Sequence, residues 1–349
     1  MTTVTLHIGA VKTGTTFVQS VLSANQPTLT ALGVLWPGPT WRAQVDAVNG
    51  LRGQEGSSFA RWTDLVEQID AWEGTDAIVS MEFLSLMSRA NVHRAIDSLS
   101  RHRVRVVLTV RDIVRAIPAQ WQESVQNGFS WSYHEYLAGV TAKRPRTTRA
   151  GQHFWNKQDW PRILEPWTER LGPDDVVVVT VPPPGAPPGL LWLRFCEAVG
   201  LPADQFDASF RANESLGAAS AEVMRHVTRQ ANAASVGNAT MQVIKRVLAK
   251  QMLSAHRSAE PSLVLPEAHR PWAVTRSRRL VESMQTVPAT VVGDLDDLRP
   301  RAGTVTGAVT TDPATLPSEE LLAAAAHGLV AVCDALAHDA PARPKGGRG

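Results

Sequence analysis

The opening sixteen residues constrain the fold of this chain more than any other stretch. Thr3 to Gly9 alternates and then turns apolar, Gly9-Ala10-Val11-Lys12-Thr13-Gly14-Thr15-Thr16 comes next, and Phe17, Val18, Val21 and Leu22 then recur at helical spacing. The order is strand, glycine loop, helix. A strand that turns through glycines into a helix start aims unpaired N–H groups at an anion, and the helix dipole adds to the attraction, so this loop is built to hold phosphate. Three further strands are expected at Asp76–Ser80, Val104–Val110 and Val176–Val181, each rich in β-branched residues. Strands apolar on both faces belong inside parallel sheets covered by helices. Helical stretches over Phe59–Trp72, Val92–His102, Ile113–Asn127 and Trp160–Leu171 alternate with them. The expected class is therefore α/β, a doubly wound parallel sheet with a P-loop-like first turn.

Beyond the rigid turn Pro182-Pro183-Pro184-Gly185-Ala186-Pro187-Pro188 the pattern becomes almost entirely helical, with helices expected over Leu190–Val199, Ala219–Ala231, Met241–Ala255 and Trp272–Ser283. The domain expectation is an α/β domain over 1–300 with helical additions from about 189, a linker over 301–317, a C-terminal helix over 318–338 and a disordered tail over 339–349. Ser318 caps the last helix, with Glu319 and Glu320 in its first turn where the dipole favours them.

Composition removes several function classes. With 35 Lys and Arg against 33 Asp and Glu, the formal net charge of +2 carries neither a nucleic-acid binder's basic excess nor an acidic tail. Cys196 and Cys333 are the only cysteines and form no CxxC, which argues against a disulfide framework or a cysteine zinc site and for a reducing compartment. The N-terminus has no basic region ahead of its first strand, and Leu321 to Leu336 falls short of the roughly 20 apolar residues that a bilayer needs. A cytoplasmic protein without signal peptide or membrane span is expected. Lys12 is the only lysine in the first 142 residues.

A Walker A loop is Gly, four residues, Gly, Lys, then Ser or Thr. Gly9 and Gly14 have that spacing and Thr16 fills the hydroxyl position, but Thr15 stands where the lysine would be, and Lys12 lies inside the loop. A lysine there reaches the bridging region of a single 5′-phosphate and the group it carries, which suits group transfer without a metal. The run His7 to Thr16, and Lys12-Thr13-Gly14-Thr15-Thr16 above all, resembles the 5′-phosphosulfate-binding loop of the sulfotransferase family, whose donor is 3′-phosphoadenosine 5′-phosphosulfate (PAPS). A second resemblance lies further along: the strand Val104 to Val110 runs into Arg111-Asp112, as sulfotransferases place an arginine at the end of a core strand for the donor's 3′-phosphate. The family's serine eight residues later is replaced by Ala119, so the second contact is expected from Gln122 or Ser124. Arg111 to Gly128 is similar to bacterial members that carry Trp-Gln-Glu at this place. In an open parallel sheet the ligand crevice lies outside the carboxyl ends of the strands where their order reverses, so one nucleotide could bridge Lys12 and Arg111.

The resemblance implies donor binding by Lys12, Thr13, Gly14, Thr15, Thr16 and Arg111, and in-line transfer of a sulfuryl group to a hydroxyl or amine of a small molecule or saccharide, with no metal. A general base is needed as well. Glu82, just after the second strand, is the first candidate; His153 and Asp46 are the alternatives, because Leu29 to Trp41, where the family often carries its glutamate, has no acid or histidine. Among the eleven tryptophans, Trp121 and Trp155 are expected near the site and Trp160, Trp167 and Trp192 in the core. The run Arg276-Ser277-Arg278-Arg279 could reach a donor phosphate, but a solvated helix face is the expected reading. Two rival functions remain open on the sequence. One is a P-loop kinase or nucleotide hydrolase with Glu82 on a magnesium ion; the other is a nucleotide-binding protein without catalysis.

Overall fold

The computed structural model describes residues 1–209, 216–245, 248, 260–300 and 308–339. The expected helix over Met241–Ala255, the linker over 301–317 and the tail over 339–349 therefore fall partly outside the described residues. In chain order the strands are β1 Thr3–Gly9, β2 Val34–Leu35, β3 Asp76–Ser80, β4 Arg103–Val110, β5 Val176–Thr180, β6 Ser262–Leu263, β7 Thr290–Val292 and β8 Val309–Thr310. The helices up to the middle of the chain are α1 Thr15–Ala24, α2 Gln26–Ala31, α3 Trp41–Leu51, α4 Ala60–Asp70, α5 Arg89–Ser98, α6 Ile113–Gln126 and α7 Tyr133–Val140. Then come α8 Arg149–Gln158, α9 Trp160–Thr168, α10 Leu190–Val199, α11 Ala218–Ala233, α12 Asn238–Val243, α13 Arg270–Met284 and α14 Ser318–Asp339.

Two compact units share the chain. The first comprises Met1–Ile117, Gly139–Asn213 and Glu267–Thr304, the second Pro118–Ala138, Glu214–Pro266 and Val305–Gly349. The changeover at Pro118 falls inside α6, where proline supplies no N–H for the helical ladder.

The first unit holds a six-stranded sheet in the order β2-β3-β1-β4-β5-β7, every neighbouring pair parallel. The expected α/β class is thus the observed one. Val4, Leu6 and Ile8 of β1, Val106 to Leu108 of β4 and Val178 and Val179 of β5 are fully buried, because helices cover both faces of these strands. From β1 the chain passes outward to β2, whereas from β4 it passes the other way to β5. The order reverses between β1 and β4, the kind of switch point beyond whose carboxyl ends open parallel sheets place their ligand crevice.

Two members of the sheet have no counterpart among the expected strands. β2 is two residues long and β7 three, too short for a period-two pattern, and both are edge strands. β7 also qualifies the expectation of a purely helical second half, since it pairs with β5 through Val177, Val178 and Val179.

In the second unit α11 packs on α14 and the short strands β6 and β8 pair in parallel. Its core includes Trp121 against Tyr133, with ring centroids 5.2 Å apart. No described helix is long and apolar enough to cross a membrane.

Candidate functional site

The site is assembled from the segments immediately after β1, β3 and β4. Leaving β1, the backbone turns through Gly9 at φ 94, Lys12 at φ 65 and Gly14 at φ 86. Gly9 is required for two reasons: its φ is left-handed, and a Cβ there would lie 3.0 Å from the Cβ of Glu82 and 3.2 Å from its Cα. Gly14 is the N-cap of α1, and no side chain caps that helix start and no acid stands in its first turn. The first amides of α1 are thus left to an exogenous acceptor or solvent. Thr15 is buried beneath this turn and Thr16 is exposed on it. Lys12 is half-buried and holds a backbone conformation that costs a side-chain-bearing residue about 1 kcal/mol.

Under the loop runs a buried polar chain with no counterpart among the expected site residues except Thr13. His7, wholly buried, shares a 2.7 Å hydrogen bond through Nδ1 with the Ser80 hydroxyl and a 3.3 Å one through Nε2 with the Thr109 hydroxyl. Thr109 shares a further hydrogen bond of 2.6 Å with the Thr13 hydroxyl, which donates to the Ala10 carbonyl at 2.6 Å. One side-chain network thereby links β3, β1, β4 and the loop. Burial pushes the His7 imidazole down to about 3, so it is neutral at any ordinary pH. The legible signal is a histidine in an otherwise apolar strand, directly ahead of the glycine loop.

Two glutamines support the same region. Gln19 of α1 donates to the Ser80 carbonyl at 3.1 Å and to Glu82 Oε2 at 3.0 Å, so the helix that begins at the loop also orients Glu82. Gln158, the last residue of α8, donates to the Val11 carbonyl at 2.8 Å. Neither stands out in the sequence, where a glutamine carries no spacing signal.

Arg111 directly succeeds β4. Its Nη1 donates to the Lys12 carbonyl at 3.3 Å, and its Nε is buried with no hydrogen-bond partner. The neighbouring acid is committed elsewhere: Asp112 caps α6 through the Arg115 N–H at 2.9 Å and pairs with the Arg115 guanidinium. Burial, with the repulsion of Arg115 added and only partly offset by Asp112, pushes Arg111 down to about 10. A withdrawn cation short of anionic partners is the feature expected of a phosphate or sulfate contact.

The remaining candidates are distributed differently. Of the three possible bases, Glu82 abuts the loop; Asp46 forms an exposed pair with Arg42 at 2.9 Å on α3; His153 lies on α8 with Nε2 3.2 Å from Lys157 Nζ. Gln122 and Ser124 belong to the second unit. Gln122 is buried and donates to the Leu216 carbonyl at 2.8 Å, and Ser124 donates to the Trp121 carbonyl at 2.7 Å while accepting from Trp131 Nε1 at 2.8 Å. Trp121 is likewise buried in the second unit, its Nε1 donating to the Trp131 carbonyl at 3.2 Å. Arg276 departs from the expected solvated face: its guanidinium lies 4.2 Å from the Trp155 ring centroid, and Ser277 is buried. Among the described residues no group of three or more His, Cys, Asp or Glu is arranged to hold a metal ion.

The sequence matches no family model and no curated protein. Among solved structures, a sulfotransferase from Alicyclobacillus acidocaldarius is similar to this chain at 16% identity and a TM-score of 0.41, over 59% of this chain and 85% of that one.

Proposed function

We propose that this protein is a sulfotransferase that moves a sulfuryl group from PAPS to a hydroxyl or amine of a small molecule or saccharide. The observation that carries the reading is the meeting of two anion-seeking groups at the switch point of the sheet: the Lys12 loop after β1, and the under-paired Arg111 bonded to that loop at 3.3 Å. The uncapped start of α1 and the buried Nε of Arg111 suit a nucleotide with phosphates at both its 5′ and 3′ positions.

PAPS, when bound, supplies an activated sulfuryl group on its 5′-phosphate. In this reading the loop amides and the hydroxyls of Thr15 and Thr16 hold the 5′-phosphate, while Thr13 braces the loop from beneath. The Lys12 ammonium neutralises the charge that develops on the bridging oxygen as the S–O bond breaks. Arg111 takes the 3′-phosphate, and Gln122 and Ser124, engaged within their own unit, serve as scaffold. Glu82, held by Gln19, accepts the proton of the acceptor group as its oxygen or nitrogen bonds to sulfur. The products are the sulfated acceptor and 3′-phosphoadenosine 5′-phosphate (PAP).

The test is incubation with a panel of hydroxyl and amine acceptors, with PAPS and EDTA in one arm and ATP and Mg²⁺ in the other. Sulfate transfer is expected in the first arm, detected by the mass added to the acceptor. Lys12→Ala should lower it by about 10²–10³-fold, the scale of losing one oxyanion donor. Glu82→Gln should lower turnover and leave PAP affinity unchanged. Activity confined to the metal–ATP arm would overturn the reading in favour of a kinase or hydrolase, and tight PAP binding with no transfer would favour a binding protein.

A further inference from the structure

A cavity of about 400 Å³ lies within the first unit, a volume suited to a small organic molecule. Two of its walls are tied to the Lys12 loop. The 3-10 turn Glu82–Leu86 starts against Gly9 and delivers Ser85, Leu86 and then Met87 to the lining. Lys157 also lines it, and the next residue on α8, Gln158, holds the Val11 carbonyl of the loop. The turn rises about 2 Å per residue, so its Glu82 and Leu86 ends stand roughly 8 Å apart, about the length of a single-ring molecule with a substituent at each end.

The charges around the cavity are predominantly of one sign. Arg52, Lys157 and Arg162 line it with His153, and the lining acid, Asp159, is already bonded to Arg146. Arg52 reaches in from the end of α3 with its guanidinium 5.4 Å from the Phe83 ring centroid, and burial pushes its pKa down. Arg276, outside the lining, stacks on the lining residue Trp155 and adds a further cation nearby. Ser85 and Asn156 add polar groups, and Leu86, Met87, Trp155, Ile163, Pro166 and Trp167 give the lining an apolar and aromatic part. Trp167, expected as core, is buried and still forms part of this wall. A neutral sugar would add no negative charge to this basic wall, whereas an anionic group on a flat apolar body satisfies both halves of the lining.

We propose that this cavity is the acceptor chamber and that it selects small molecules bearing a carboxylate on an apolar, ring-containing body. The carboxylate lies among Arg52, Lys157 and Arg162, and the nucleophilic hydroxyl or amine points toward Glu82. That it holds an acceptor rests on the sulfotransferase reading; that it binds an anionic ring compound rests on the cavity alone.

The test is calorimetric titration of the full-length protein, with and without PAP, using 4-hydroxyphenylacetate and its methyl ester. The acid should bind at least tenfold more tightly than the ester. Lys157→Glu and, separately, Arg52→Glu should each weaken the acid at least tenfold while leaving the ester and PAP unaffected; Arg52→Glu keeps the test alive if the other variant does not fold. Equal binding of acid and ester, binding of neither, or no loss in both variants overturns the proposal. PAP binding without acid binding sinks the chamber alone. Acid binding without PAP binding sinks the donor reading, and with it the chamber's role in transfer.

Discussion

Arg111 and Arg225 are both arginines drawn away from bulk water, and the two regions treat the charge in opposite ways. Arg225, on α11 of the second unit, is 8% exposed and makes a bidentate pair with the buried Glu222 at 2.6 and 2.9 Å, and it also donates to the Ser130 carbonyl at 3.3 Å. Hydrogen bonding to Glu222 raises its pKa. Arg111 has one backbone carbonyl at 3.3 Å, an orphaned Nε and a depressed pKa. The first arginine bonds its counter-ion within the protein; the second bonds a backbone carbonyl of the Lys12 loop and keeps an Nε without a partner. A completed buried pair is structural, whereas the proposed reading makes the incomplete one, bonded to the loop that leads into the uncapped start of α1, a place for an anion.

Three measurements break or sharpen that contrast. The largest effect is expected for Arg225→Ala, which removes the bidentate partner of Glu222, 2% exposed and then left with His226 Nε2 at 3.2 Å, and should cost about 3 kcal/mol of folding stability, read from the urea midpoint. Arg111→Ala should leave that midpoint unchanged and instead weaken PAP binding by about 2 kcal/mol, roughly thirtyfold by calorimetry. If Arg111→Ala destabilises the fold as Arg225→Ala does, or leaves PAP affinity intact, the two arginines are alike and the contrast fails.

The smallest effect concerns the chain of polar groups beneath the loop. His7 titrates at about 3 in the folded protein against 6.5 for an unperturbed histidine, so between these values the unfolded chain binds a proton that the folded one does not. The stability it contributes is fully present above pH 6.5 and is lost as pH falls toward 3, by about 1.4 kcal/mol per unit for this one group. His7→Asn should remove that slope when urea midpoints are compared between pH 7 and pH 5. Parallel slopes in the two proteins would mean that His7 takes up its proton without cost and is not sealed from solvent.

Much of the site's frame is legible locally. The glycine loop after β1, the β-branched β3, β4 and β5 and the arginine ending β4 all carry signals within a few residues, because burial on both faces demands continuous apolar runs and a tight turn demands glycine. β2 and β7 escape for lack of length, and α8 escapes because Arg149 to Gln158 mixes polar with aromatic residues and its burial depends on what covers it. The changeover at Pro118 is invisible for a different reason: a proline within a helical pattern marks a local defect and says nothing about which compact unit each side joins. The role of His7 needs partners from two other strands, at separations of 73 and 102 residues.

The amino-acid order by itself determined that a glycine turn joins the first strand to the first helix, that a lone lysine sits inside it and that apolar strands recur behind it, since each arises from side-chain chemistry at short range. Tertiary structure alone decided that Arg111 meets Lys12 across 99 residues, that Glu82 rather than Asp46 or His153 rests against Gly9, and that Arg52, Lys157 and Arg162 line one cavity. Parallel strands become neighbours through crossovers whose order leaves no local periodicity, so only the assembled sheet brings the distant charges together.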